Sequence, residues 1–176
     1  STTASASATI TAKALTVTAT GIDKVYDGTV TASVNLSDDR IAGDVLTASY
    51  VSAAFADKNV GTDKAVSVTG ISISGTDATN YSLSSTTASA SATITAKALT
   101  VTDAVANDRV YNADIDATVN FASATLVGVV SPDVVTLDSA SYSASFADKN
   151  VANDKPVTVS GLTLTGADKD NYSLTQ

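Results

Sequence analysis

Cysteine, histidine, methionine, tryptophan and glutamate are all missing from the 176 residues, and glutamine occurs once. Without His or Cys there can be no His-dependent triad, thiol nucleophile, disulfide or Cys/His zinc site. Glu, Gln and Met are strong helix formers, whereas the abundant Val and Thr favour strands. The chain therefore reads as all-β, with no helix longer than about one turn. Positive charge is scarce as well: ten Lys and Arg face 18 Asp, for a net charge of −8 and a pI near 4.2. That balance argues against nucleic acid, whose phosphates need a basic surface. No apolar run approaches the roughly 18 residues of a membrane helix, so no membrane insertion is expected. No leader pattern is visible, and the sequence reads as a piece of a longer chain.

What is present suffices for a core. Val, Leu, Ile and Phe supply 41 of the 176 residues, above the range of about one fifth or less typical of disordered chains. The dominant feature is duplication. Ser1–Thr18 recurs letter for letter as Ser85–Thr102, Val25-Tyr26 as Val110-Tyr111, and Asp44-Val45 as Asp133-Val134. Phe55–Val60 recurs as Phe146–Val151, and the block Gly70–Leu83 matches Gly161–Leu174. The offset grows from 84 to 91 between blocks, which places the insertions in loops. A unit of this length is a domain rather than a solenoid coil of about 20–50 residues.

Within each unit the hydrophobic period is two. Val30, Ala32, Val34 and Leu36 alternate with Thr31, Ser33 and Asn35, as in a strand with one face buried. Val66 and Val68 alternate likewise, then Gly70 intervenes and Ile71 and Ile73 continue in the opposite phase. Val157, Val159, Gly161, Leu162 and Leu164 copy this slip, which marks a bulge or a strand crossing between sheets. Turn signals then bound six or seven strands per unit, the pattern of two tandem immunoglobulin-like β-sandwich domains. Asp77 and Tyr81, with Leu83 two residues on, and likewise Asp168, Tyr172 and Leu174, suggest a tyrosine corner whose hydroxyl bonds back to upstream backbone.

The apolar series of Ser1–Thr18 changes phase near Lys13, between Ile10 and Leu15. Residues 1–12 are thus expected to be a closing strand belonging to an upstream repeat, 13–96 the first sandwich, and 97–176 a second that lacks its closing strand. Residues 1–12 of one molecule could then complete the second domain of another, giving head-to-tail association. The competing division is 1–84 and 85–176.

Lys24–Thr29, Phe55–Val60, the Asn80-Tyr81 block and Ala92–Lys97 together resemble the YDG-type tandem repeats of large Gram-negative surface adhesins similar to filamentous haemagglutinins. The resemblance covers nearly the whole chain in two copies. It implies an extracellular location, on the bacterial surface or secreted. The second copy departs from it, reading Tyr111-Asn112-Ala113 where the first has Tyr26-Asp27-Gly28. A turn tolerates that change, so the triplet reads as structural.

Candidate chemistry is sparse. Asp38-Asp39 and Asp114/Asp116 are the visible carboxylate pairs for glycoside hydrolysis, but neither recurs at the matched position. Asp168, Asp170 and Asn171 have spacing suited to Ca²⁺, while the first unit offers only Asp77 and Asn80. Lys58/Lys149 and Lys64/Lys155 lie near Asp and Asn residues, as an intramolecular isopeptide bond would need. Thr-x-Thr runs such as Thr16-Val17-Thr18 suit ordinary exposed strand faces. The expectation is a non-catalytic structural spacer with no cofactor, metal or catalytic site, partnered by neighbouring repeats of its own chain. The alternative is a ligand-binding adhesin module for a glycan or host surface protein, which requires a shared exposed aromatic cluster.

Overall fold

The computed structural model describes residues 4–175. Apart from 3₁₀ turns at Ala78–Asn80 and Lys169–Asn171, every regular element among them is a strand. The chain divides into two compact units. The first holds the chain through Lys24, Val30–Asp57 and Gly61–Ile94; the second holds Val25–Thr29, Lys58–Val60 and the chain from Thr95 onward.

The earlier half of the sequence forms β1 (Lys13–Leu15), β2 (Val17–Ile22), β3 (Lys24–Val25), β4 (Ser33–Asp38) and β5 (Thr47–Ser49), then β6 (Ser52–Phe55), β7 (Gly61–Thr69), β8 (Ser72–Ser74), β9 (Tyr81–Leu83) and β10 (Thr87–Thr95). The later half forms β11 (Lys97–Thr102), β12 (Val105–Ala106), β13 (Val119–Asn120), β14 (Thr125–Val127) and β15 (Thr136–Asp138), then β16 (Ser143–Phe146), β17 (Val157–Ser160), β18 (Thr163–Thr165) and β19 (Tyr172–Leu174). These strands are shorter and more numerous than six or seven per unit, because runs that look continuous change partner midway. Leu15 and Val17 are one example: β1 runs parallel to β9, whereas β2 runs antiparallel to β4. Between them the Thr16 N–H leaves the ladder and donates to Asp39 Oδ1 at 2.8 Å.

The slip at Gly70 is a crossing between sheets. β7 pairs with β6 and β10, β8 pairs with β5, and Gly70 turns the chain at φ +70°. A Cβ there would meet Val51 Cβ at 2.7 Å, so the position needs glycine on two counts. Gly161 repeats the device at φ +77° between β17, which pairs with β16, and β18, which pairs with β15.

Val66, Val68, Ile71, Ala92 and Ile94 are buried, as are Val34 and Ala32, while Val30 on the expected inner series is exposed. Leu15, Leu46 and Tyr81 form a second buried cluster, with Val17, Ile73 and Leu83 packed on it. In the second unit Leu99, Val119, Leu162 and Tyr172 are buried. The outward Ser and Thr pair across strands. Hydroxyls of Thr18 and Ser37, Ser49 and Ser72, Thr102 and Thr125, Thr136 and Thr165, and Ser143 and Ser160 lie 2.7–2.9 Å apart. Such cross-strand pairs contribute roughly 0.2–1 kcal/mol each.

Candidate functional site

The same arrangement of an Asp, a Tyr and a second Asp is built in both units. Its Tyr opens β9 or β19 and is held from the side by a parallel strand, with Lys13 opposite Tyr81 and Lys97 opposite Tyr172. The Tyr81 hydroxyl accepts the Ile41 N–H at 2.9 Å and donates to Asp44 Oδ2. The Tyr172 hydroxyl accepts the Val130 N–H at 3.0 Å and donates to Asp133 Oδ2 at 2.7 Å. Asp77 and Asp168 complete the clamp by accepting the N–H of Val45 and Val134 at 2.8 and 2.9 Å. The expected corner is therefore present in a longer form. Its hydroxyl reaches a loop about 40 residues upstream, not the adjacent turn.

The second unit adds more to its Asp133. Tyr26 donates its hydroxyl to Asp133 Oδ2 at 2.6 Å, and Lys58 Nζ sits 2.7 Å from Asp133 Oδ1. The Tyr26 and Tyr172 rings meet edge to face at 5.4 Å between centroids. Asn171 is buried and accepts the Val60 N–H at 2.9 Å. The Asp133 side chain is only 2 % exposed. Burial works against its charge, but hydrogen bonds from Lys58, Tyr26 and Tyr172 outweigh burial and hold the carboxyl below the usual range. Burial, reinforced by the bond to Asp133, pushes the Tyr172 hydroxyl up to about 12, and the same two causes raise Tyr26. The Asp133 bond comes first among the causes that raise Lys58. These shifts lock every member in its resting charge state, the opposite of what a general base or nucleophile needs near neutral pH.

The residues singled out for chemistry disperse. Asp38 pairs with Arg40, whose hydrogen bond lowers its carboxyl, and Asp39 is lowered chiefly by the Thr16 N–H. Asp114 is engaged by Arg109 and Asn112. Asp168, Asp170 and Asn171 face Val134, Lys169 and Val60 respectively, and no acidic cluster able to hold a metal occurs among the described residues. Lys64 and Lys155 pair with exposed Asp57 and Asp148. Lys58 does meet a buried carboxylate, a contact the polar Phe55–Val60 stretch gave no sign of. An isopeptide bond requires a neutral amine and a protonated acid, whereas this pair is shifted the other way.

The aromatic residues correspond more fully than their spacing suggests. The Tyr50 hydroxyl accepts the Val34 N–H, and the Tyr142 hydroxyl accepts the Val119 N–H, so a one-residue insertion hides a third matched pair. The triplet at residues 26–28 is a turn: Asp27 Oδ1 accepts the Thr29 N–H at 2.9 Å beside Gly28 at φ +78°. Asn112 does the same for Asp114, with Ala113 at φ +73°.

A family model, the YDG domain, matches residues 11–88 and again residues 95–176. The chain belongs to the YDG domain family. No curated protein and no solved structure matches it. In this YDG chain the Asp-Gly of the triplet shapes a turn, and the Tyr before it supplies a buried hydroxyl to Asp133.

Proposed function

We propose that this YDG chain is a structural spacer of a large bacterial surface adhesin, built of two immunoglobulin-like sandwiches that project a binding region carried elsewhere. One observation carries the reading. Three of the pairs common to both copies, Asp44/Asp133, Asp77/Asp168 and Tyr81/Tyr172, are engaged in holding loops to strands. The strand surfaces carry paired hydroxyls, and net negative charge keeps like neighbours apart in solution. Neighbouring repeats are the partners, and the outside of the cell is the location this reading requires.

Binding assays test it. The full chain is expected to give no saturable binding on a glycan array or on host-cell surfaces. Saturable binding that Tyr111→Ala abolishes would favour the ligand-binding module instead, since Tyr111 is the most exposed of the matched tyrosines.

A further inference from the structure

Lys13-Ala14-Leu15 and Lys97-Ala98-Leu99 are one triplet written twice, as are Tyr81-Ser82-Leu83 and Tyr172-Ser173-Leu174. In each half the first triplet comes early and the second late, yet the two lie side by side. β1 runs parallel to β9, with Lys13 opposite Tyr81 and Leu15 opposite Leu83. β11 runs parallel to β19 in the same register, with Lys97 opposite Tyr172 and Leu99 opposite Leu174. A further bond closes each pair. The Ser84 N–H donates to Leu15 O at 2.9 Å, and the Thr175 N–H donates to Leu99 O at 3.0 Å. Leu15 and Leu99 are 0 % exposed, so each pair is sealed by a side chain out of reach of water.

The direction of these strands decides what tension does to them. The chain enters β1 at Lys13 and leaves β9 at Leu83, at opposite ends of the pair. A pull on those two ends draws the strands past each other, and every bond of the pair is loaded together. An antiparallel hairpin has its free ends side by side, and a pull there opens the pair bond by bond. Forced unfolding is governed by the unfolding rate. Bonds that must break together present a higher barrier than the same bonds broken in turn.

The loaded strands are also pinned. Tyr81 is the first residue of β9, and its hydroxyl holds the Ile41 N–H and Asp44. Tyr172 opens β19 and holds Val130 and Asp133 in the same way. Sliding either strand toward its C-terminal end must break these bonds as well as the ladder. β1 is fixed by Lys13 Nζ on Asp39 O at 2.9 Å and by the Thr16 N–H on Asp39 Oδ1 at 2.8 Å. It leads into β2, all six residues of which pair with β4.

We infer that both units carry tension along the chain, with β1–β9 and β11–β19 as the load-bearing pairs. The inference deepens the spacer reading and rests on it for the source of the load. The resisting geometry belongs to each unit by itself.

The chain has no cysteine, so introduced thiols take DNA handles at chosen points for single-molecule pulling of the full chain. Ala12→Cys with Ser84→Cys draws β1 and β9 in opposite directions. Ala12→Cys with Thr79→Cys grips the same pair by neighbouring ends, because Lys13 faces Tyr81. All three positions are exposed, so both variants keep the fold, and equal urea midpoints check it. Thr11→Cys replaces Ala12→Cys should a midpoint move. At equal pulling speed the first variant should open at a force at least about twice that of the second. The chain held by its two ends should open both units above the force of the second variant. Equal forces in the two geometries overturn the inference. So does a unit that opens at or below the lower force when the ends are pulled. Saturable glycan or host-cell binding would remove the spacer reading and leave these forces unchanged, so the two failures are distinct.

Discussion

Asp133 receives three donors, from Tyr26, Lys58 and Tyr172, at 2.6–2.7 Å, and its side chain is all but removed from water. Removing one donor from such a carboxylate costs more than an average neutral hydrogen bond. Tyr172→Phe should therefore destabilise the second unit by about 1–2 kcal/mol in urea denaturation, and Tyr81→Phe should destabilise the first unit by a similar amount through its lost bond to Asp44. The pH dependence has two limbs. Asp133 is held below its unfolded value, so its contribution is present above about pH 4 and disappears as pH falls through the lower folded value. Tyr172 is pushed up to about 12, so its contribution is present below about pH 10 and disappears as pH rises toward the folded value. Urea midpoints measured from acid to alkaline pH should fall at both ends, and Tyr172→Phe should flatten the alkaline limb.

At the scale of the element, the legible features were those written in local period. The Val-x-Val then Gly then Ile-x-Ile series fixes a face change, and the chain changes sheets at Gly70 and Gly161. The all-β class was legible for the same reason. The Tyr and Asp of the clamp were visible as a repeated pattern, but their partner loop was not, because a contact 40 residues away leaves no periodic trace. Lys58 and Tyr26 lie 75 and 107 residues from Asp133, and nothing in the polar turn around Lys58 distinguishes it from a surface charge. Strands are shorter and more numerous than the alternation predicts where side chains such as Asp39 draw an N–H out of the ladder. Gly70 gives the direct test at this scale. A Cβ there lies 2.6 Å from Val51 Cγ2 at a φ of +70°, so Gly70→Ala should destabilise the first unit by about 1–3 kcal/mol. A midpoint unchanged in urea would show that the crossing does not depend on glycine.

For the molecule as a whole, the two units repeat one plan with unequal closure. In the first, Val66 and Val68 are 1 % exposed under β10, while Val157 and Val159 in the second remain half-buried. Apolar area left in water contributes nothing to stability at roughly 25 cal/mol per Å², so the second unit should be the less stable at concentrations where the chain is monomeric. Denaturation followed by amide exchange should then resolve two transitions. Val66→Ala, which empties a closed core, should lower the upper transition by about 2 kcal/mol. Val157→Ala should lower the other transition by less, because its site is already open to water. Deleting residues 1–12 should leave the upper transition where it is, since residues 4–12 are exposed and form no strand. If that deletion instead abolishes the upper transition, the units divide at 1–84 and 85–176, and each begins with its own edge strand.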